Sequence, residues 1–194
     1  MELDHKALMR LAIAEAELAR GSTGDNPWVG CVIVDARGEV LARGHTQGPG
    51  EDHAEIAAVN AAKRRGIGVA GTTVYSTLEP CSFHGRTPAC SQVLVDHRIG
   101  CLIFGMRDPH PRVDGEGAAI LRRGGVPTIE GVCEDEIRRQ LGSWVWQYHR
   151  HEPLRRARAL RQTHSPAELV PMLATLYAMS PAQVAELLQQ LDTE

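Results

Sequence analysis

No apolar run in the chain approaches the ~20 residues that a membrane-spanning helix needs. The opening stretch, MELDHKALMR, lacks the hydrophobic core of an export signal. These absences argue against a membrane protein and lead us to expect a cytoplasmic one. A surplus of positive charge is also missing. Lys and Arg number 21 against 24 Asp and Glu, for a net charge of −3. Binding to a nucleic-acid backbone usually leaves a strongly basic face, so a small molecule is the expected partner rather than nucleic acid. Cysteine is scarce and odd in number: Cys31, Cys81, Cys90, Cys101 and Cys133. An odd count without an export signal argues against a disulfide framework.

What is present suits one domain of ordinary size, with 194 residues of which 43% are hydrophobic. Residues 3 to 20 are rich in Ala and Leu at helical spacing, and Asp4 can cap that helix. VGCVIVD and EVLARGH read as a hairpin around DARG. A helix is predicted over 53–65, a strand at TTVYSTL, a helix over 89–97 and a strand at CLIFGM. Beyond the loop DPHPRVDG come a helix near 115–123, a short strand near 127 and a long helix over 134–148. Strands alternating with helices after one hairpin indicate an α/β fold: a three-layer α-β-α sandwich with a mixed sheet of about five strands. Cys31 and Cys101 lie in apolar, strand-like runs and are expected as core thiols. Cys133 has no functional reading.

The expected division is a first domain over residues 1–152 and a short helical extension over 153–194. The extension opens with the basic stretch PLRRARALRQTH. SPAE at 165–168 and SPAQ at 180–183 then resemble capping boxes with Pro at the first helical position. Leucines at helical spacing follow each, so we expect a helical hairpin that packs on the domain or on a second subunit. A dedicated partner-binding or nucleic-acid role is the alternative.

The chemistry is concentrated in two segments. HAE, with His53 and Glu55, opens a predicted helix. PCSFHGRTPAC, with Cys81 and Cys90, begins where a strand meets the next helix. Helix N-termini favour thiolate over thiol. One histidine and two cysteines are three ligands for one tetrahedral zinc per chain, leaving the fourth position for water, as in catalytic sites. Zinc brings the pKa of such a water to about 7, and Glu55 can take its proton and deliver it to a leaving amine. H-x-E followed by P-C and a second Cys is the pattern of zinc-dependent base deaminases, here with eight residues between the cysteines. A purely structural zinc would want a fourth protein ligand. His84 could supply one, but Glu55 argues the other way. A non-enzymatic zinc module is the further alternative.

At these residues the chain resembles the pyrimidine deaminase domain of the bacterial riboflavin-biosynthesis deaminase–reductase proteins. DNPWVGCVIV, GEDHAE, TLEPCSFHGRTPAC and MRDPHPRVDGEG carry the resemblance, over roughly residues 4 to 152. It implies a cytidine-deaminase-like fold, often as a homodimer. The implied reaction replaces the 2-amino group of a phosphoribosylated diaminopyrimidinone with oxygen. His53, Cys81 and Cys90 become the zinc ligands and Glu55 the proton shuttle. Asn26 would hold the pyrimidine ring, and Arg86 and Asp108 would lie around the ribose phosphate.

Departures cluster around that substrate. Gly44–His45–Thr46–Gln47–Gly48 stands where the family reads G-x-H-x-K. Phe83 replaces a histidine, with His84 one place late. His110 replaces the Asn of D-P-N-P, and Glu116 replaces a basic residue. Phe83, His84 and His110 therefore join the candidate substrate contacts. Phe83 is expected to stack on a flat ring, and Glu116, if it lines the pocket, to weaken phosphate binding. The family's reductase domain has no counterpart in residues 153–194. The expected substrate is thus the riboflavin precursor or a related, unphosphorylated amino-pyrimidine, purine or cyclic guanidine.

Overall fold

A computed structural model describes residues 3–83 and 88–192. His84 and Arg86 lie outside the described residues. The chain forms two compact units, Met1–Glu134 and Asp135–Glu194.

The first unit starts with helix α1 (His5–Glu17), capped by Asp4, whose Oδ1 accepts from the Ala7 N–H at 3.0 Å. The hairpin follows as β1 (Gly30–Val34) and β2 (Val40–His45), then α2 (Ala54–Arg64) and β3 (Thr73–Leu78). The remaining elements are α3 (Cys90–Asp96), β4 (Cys101–Met106), α4 (Glu116–Arg123) and β5 (Thr128–Glu130). The sheet order is β2-β1-β3-β4-β5. β1 runs antiparallel to β2 and β3, whereas β3, β4 and β5 are mutually parallel. This is the mixed five-stranded sheet expected from sequence.

β1 is buried at every position and β3 and β4 at all but the first. Both faces of these central strands are covered, which is why they read as apolar runs rather than alternating ones. Two glycines let helices seat closely. A Cβ on Gly30 would meet the backbone of Ala12 and Ala16 in α1, and one on Gly44 would meet that of Ala54 and Ala58 in α2. Gly30 pairs with His45, so Gly44 faces the other side of the sheet. α1 therefore covers one face, while α2, α3 and α4 pack in a row on the other. Cys31 is fully buried in this core. Cys101, expected there too, is only partly buried, because it is the first residue of β4.

The second unit holds α5 (Glu134–Tyr148), α6 (His151–Leu160), α7 (Pro166–Tyr177) and α8 (Pro181–Asp192). As a compact unit it begins before residue 152, because α5 belongs with the tail. Gly142 lies against the Tyr177 backbone, where a Cβ would be 2.2 Å away, and Arg138 pairs with Glu152. The basic stretch, given no element in the sequence analysis, is helix α6. Pro153 falls in its first turn, where a missing N–H costs nothing. Both capping boxes form. Ser165 N donates to Glu168 Oε2 at 2.8 Å, and Ser180 N donates to Gln183 Oε1 at 2.7 Å. Leu169, Leu173, Val184 and Leu187 are buried.

Arg138, Glu152 and the Tyr177 hydroxyl form a buried polar cluster joining α5, α6 and α7. Removing one partner from a buried ion pair strands the other charge. We expect Glu152→Ala to destabilise the second unit by about 3–5 kcal/mol. Urea unfolding followed by hydrogen exchange at Leu173 and Tyr177 tests this, and unchanged protection there would contradict it.

Candidate metal centre and active site

The strand directions bring four loops to one end of the sheet. Gly30 at the start of β1 lies beside the end of β3, since Cys31 pairs with Ser76, and His45 at the end of β2 lies beside Gly30. The C-terminal ends of the parallel β3 and β4 complete the rim. Segments 21–29, 46–53, 79–83, 88–89 and 107–115 therefore converge, as ligand-binding loops do outside the carboxyl ends of parallel strands.

His53 is the N-cap of α2 and Cys90 the first residue of α3. His53 Nδ1 lies 3.6 Å from Cys81 Sγ and 3.4 Å from Cys90 Sγ. The three ligand atoms fall within 4.8 Å of one another. A tetrahedral zinc with bonds of about 2.0–2.1 Å to nitrogen and 2.3 Å to sulfur holds those atoms about 3.5 Å apart, so the donor set fits the ion. The eight residues between the cysteines do not separate the sulfurs, because the loop is pinched at its base. Cys90 N donates to Cys81 Sγ at 3.2 Å. Ser91 donates to Cys81 O through both its N–H, at 3.2 Å, and its hydroxyl, at 2.9 Å.

Electrostatics split the two thiols. The Cys90 thiol donates to Cys81 and, with His53, holds Cys81 well below the usual thiol range, while that same bond and burial push Cys90 up. His53 is raised, chiefly by Cys81. Glu55 is 3% exposed in the first turn of α2. Burial raises its pKa, and Ser76 Oγ donates to its Oε1 at 3.3 Å. A buried glutamate held above its ordinary range beside this cluster has the chemistry of a general acid–base.

The outer residues are arranged as follows. Asn26 sits in a turn closed by Thr23, whose Oγ1 donates to Asn26 O at 2.7 Å. Asp108 is pushed up to about 7 by burial, and its Oδ1 accepts from His110 N at 2.8 Å. Phe83 meets His110 with ring centroids 5.4 Å apart, and the Arg112 guanidinium lies 4.1 Å above the Phe83 ring. Arg112, an exposed loop residue beside His110, and Glu79, a buried acid between an apolar strand and Pro80, are neighbours of the site that no local sequence signal singles out. His45 is drawn to the α1 side by Glu15, 2.9 Å from its Nδ1. Glu116 is exposed and pairs with Arg123 of its own helix at 2.5 Å, which removes the main reason for expecting phosphate to be repelled. Thr46 is buried and accepts from Val29 N at 3.1 Å, a structural bond.

Comparison with known proteins agrees with the sequence resemblance. The chain is 46% identical over 128 residues to the riboflavin biosynthesis protein RibD of Actinobacillus pleuropneumoniae, covering 66% of this chain and 33% of that protein. Among solved structures it is similar to Acinetobacter baumannii RibD, with a TM-score of 0.69 and 34% identity over 75% of this chain and 40% of that one. It is also similar to a diaminohydroxyphosphoribosylaminopyrimidine deaminase/5-amino-6-(5-phosphoribosylamino)uracil reductase from Thermotoga maritima, at a TM-score of 0.65 and 36% identity, over 69% and 38% of the two chains. The chain thus spans well under half of these relatives. The cytidine and deoxycytidylate deaminase zinc-binding region matches residues 2–106, more than half of the sequence, and the chain belongs to that deaminase family.

Proposed function

We propose that the chain is a zinc-dependent hydrolytic deaminase whose substrate is the phosphoribosylated diaminopyrimidinone of riboflavin biosynthesis. The observation that carries this reading is the cluster of His53, Cys81 and Cys90 at zinc-ligand spacing beside the buried Glu55. Relatives at 35–46% identity named for riboflavin biosynthesis support the substrate class.

When bound, zinc supplies Lewis-acid activation of water at neutral pH. The chain's own residues do the rest. Glu55 accepts a proton from the attacking water and returns one to the departing amino group, which leaves as ammonia. Burial keeps its carboxylate basic enough to do so, and Ser76 fixes its orientation. Asn26 and Asp108 stand at the rim as hydrogen-bonding partners for the ring and ribose, with Phe83 and His110 forming an adjoining wall. Arg86 and His84 belong to the same proposal on sequence grounds. A cytoplasmic location and a homodimer complete the reading. No helix among the described residues is long and apolar enough to cross a membrane, and sedimentation of the purified chain tests the dimer.

A second reading, an unphosphorylated amino-heterocycle, draws on Phe83, an apolar ring among the rim loops. The ratio of kcat/KM for the riboflavin precursor to that for its dephosphorylated form decides between them. We expect the phosphate to raise kcat/KM by at least about tenfold, the effect of one charge-assisted contact. Equal values would favour the second reading.

Two substitutions test the centre itself. Cys90→Ser should lose most bound zinc in metal analysis, and full retention would remove Cys90 from the ligand set. Glu55→Gln should keep zinc and fold but lose about 10²–10⁴-fold or more in kcat, the scale of general acid–base catalysis. A near-wild-type rate would put the shuttle elsewhere.

A further inference from the structure

Glu79 is a buried carboxylate two residues before the Cys81 ligand, and the deamination chemistry leaves it unused. It is 2% exposed. Its Oε2 accepts from Gly115 N at 2.9 Å and its Oε1 from Ala118 N at 3.0 Å. The backbone amide of Asp108 also acts on this carboxylate. Its own N–H donates to Met106 O at 2.9 Å. One side chain thus engages the amides at both ends of loop 107–115 and the first turn of α4. The adjoining Pro80 carbonyl forms the seat for α4: a Cβ on Gly117 would lie 2.0 Å from that oxygen. Gly115 has φ +95, a conformation that glycine supplies at no steric cost, so its N–H can turn back to the acid.

We propose that Glu79 is the positioning residue that fixes loop 107–115, and with it Asp108 and His110, relative to the metal ligand Cys81. Glu79 and Cys81 share a short rigid segment with Pro80 between them. The carboxylate therefore ties the substrate-side loop to the metal-side loop through two charge-assisted hydrogen bonds. His53, Glu55 and Cys90 are held by α2 and α3 instead. Loss of the tie should weaken substrate binding while leaving the metal and the proton shuttle in place. This assignment rests on the deaminase reading for its kinetic part, while the tie itself has a readout that needs no substrate.

Glu79→Gln preserves shape but can no longer accept from both amides, since one end of the carboxamide is a donor. In the zinc-loaded full chain we expect unchanged metal content and a kcat within about threefold of wild type. KM should rise about tenfold to a hundredfold, the range for losing one hydrogen bond to a charged group. Hydrogen exchange at Gly115 and Ala118 should speed by at least about tenfold, with Ala58 and Val59 in α2 unchanged. Gly117→Ala keeps the Glu79 carboxylate but displaces α4 from the same seat, its Cβ meeting Pro80 O and Glu79 Cγ, and should give the same split. The assignment is overturned by unchanged KM in both variants, by zinc loss accompanying a fall in kcat, or by unchanged exchange at the two amides. If Glu79→Gln does not fold, wild-type Gly115 and Ala118 amides that exchange as fast as that of exposed Ala36 overturn it alone. A wild-type chain that releases no ammonia would sink the deaminase reading, and the exchange measurements would still decide the tie.

Discussion

Three soft and basic donors are forced into a space where they cannot all keep their ordinary protonation. His53 Nδ1 and the sulfurs of Cys81 and Cys90 approach within 3.6 Å in a largely buried pocket. The Cys90 thiol and His53 hold Cys81 low, the same bond and burial push Cys90 up, and Cys81 raises His53. A divalent cation removes that conflict, because it stabilises both sulfurs as thiolates and needs the imidazole neutral. Much of the surrounding structure holds this crowding in place. The Ser91 bonds to the Cys81 carbonyl close the loop base, and α2 brings His53 in at its N-cap.

The crowding is possible because the sheet changes direction. β1 runs against β3 while β4 runs with it. The start of β1 therefore meets the ends of β3 and β4, and loops distant in sequence share one rim. The hairpin turns at the other end and takes no part. Small residues let the layers close: Gly30 against α1, Gly44 against α2 and Gly117 against Pro80. Two buried polar residues of β3 face different tasks, Thr77 accepting from Gly30 N to join the strands and Ser76 orienting Glu55.

The first unit was legible in the sequence because its signals are local and strong. Apolar runs between glycines gave the central strands, Asp4 gave the first cap, and H-x-E with the paired cysteines pointed to the cluster of His53, Cys81 and Cys90 beside Glu55. What stayed hidden depends on contacts far apart in sequence. The compact grouping of α5 with the tail rests on Gly142 meeting Tyr177 and on Arg138 meeting Glu152. Nothing within α5 itself encodes those encounters. Helix α6 was missed because a run of arginines dilutes the apolar periodicity, although Ala157 still packs inside. Glu116 looked like a pocket residue by its place in the loop motif, yet one residue past Gly115 it joins a helix and pairs outward with Arg123.

In the proposed deaminase, reaction type and substrate choice are built on different parts of the same rim. Of the proposed centre, His53, Glu55 and Cys90 sit on helix starts, where a displacement would break buried packing, and Cys81 is tied to α3 through Cys90 and Ser91. The residues proposed to meet the substrate lie, among the described residues, in segments 21–29, 79–83 and 107–115. Sequence can drift in those loops without disturbing the centre: His110 keeps its bond to Asp108 although it replaces an asparagine in the motif. Phe83, in place of a histidine, is accommodated by stacking with His110 and Arg112. These loops still need a fixed reference to the metal, because productive geometry tolerates only a fraction of an ångström. Glu79 can provide it, being bonded to the loop on one side and joined through Pro80 to a ligand on the other.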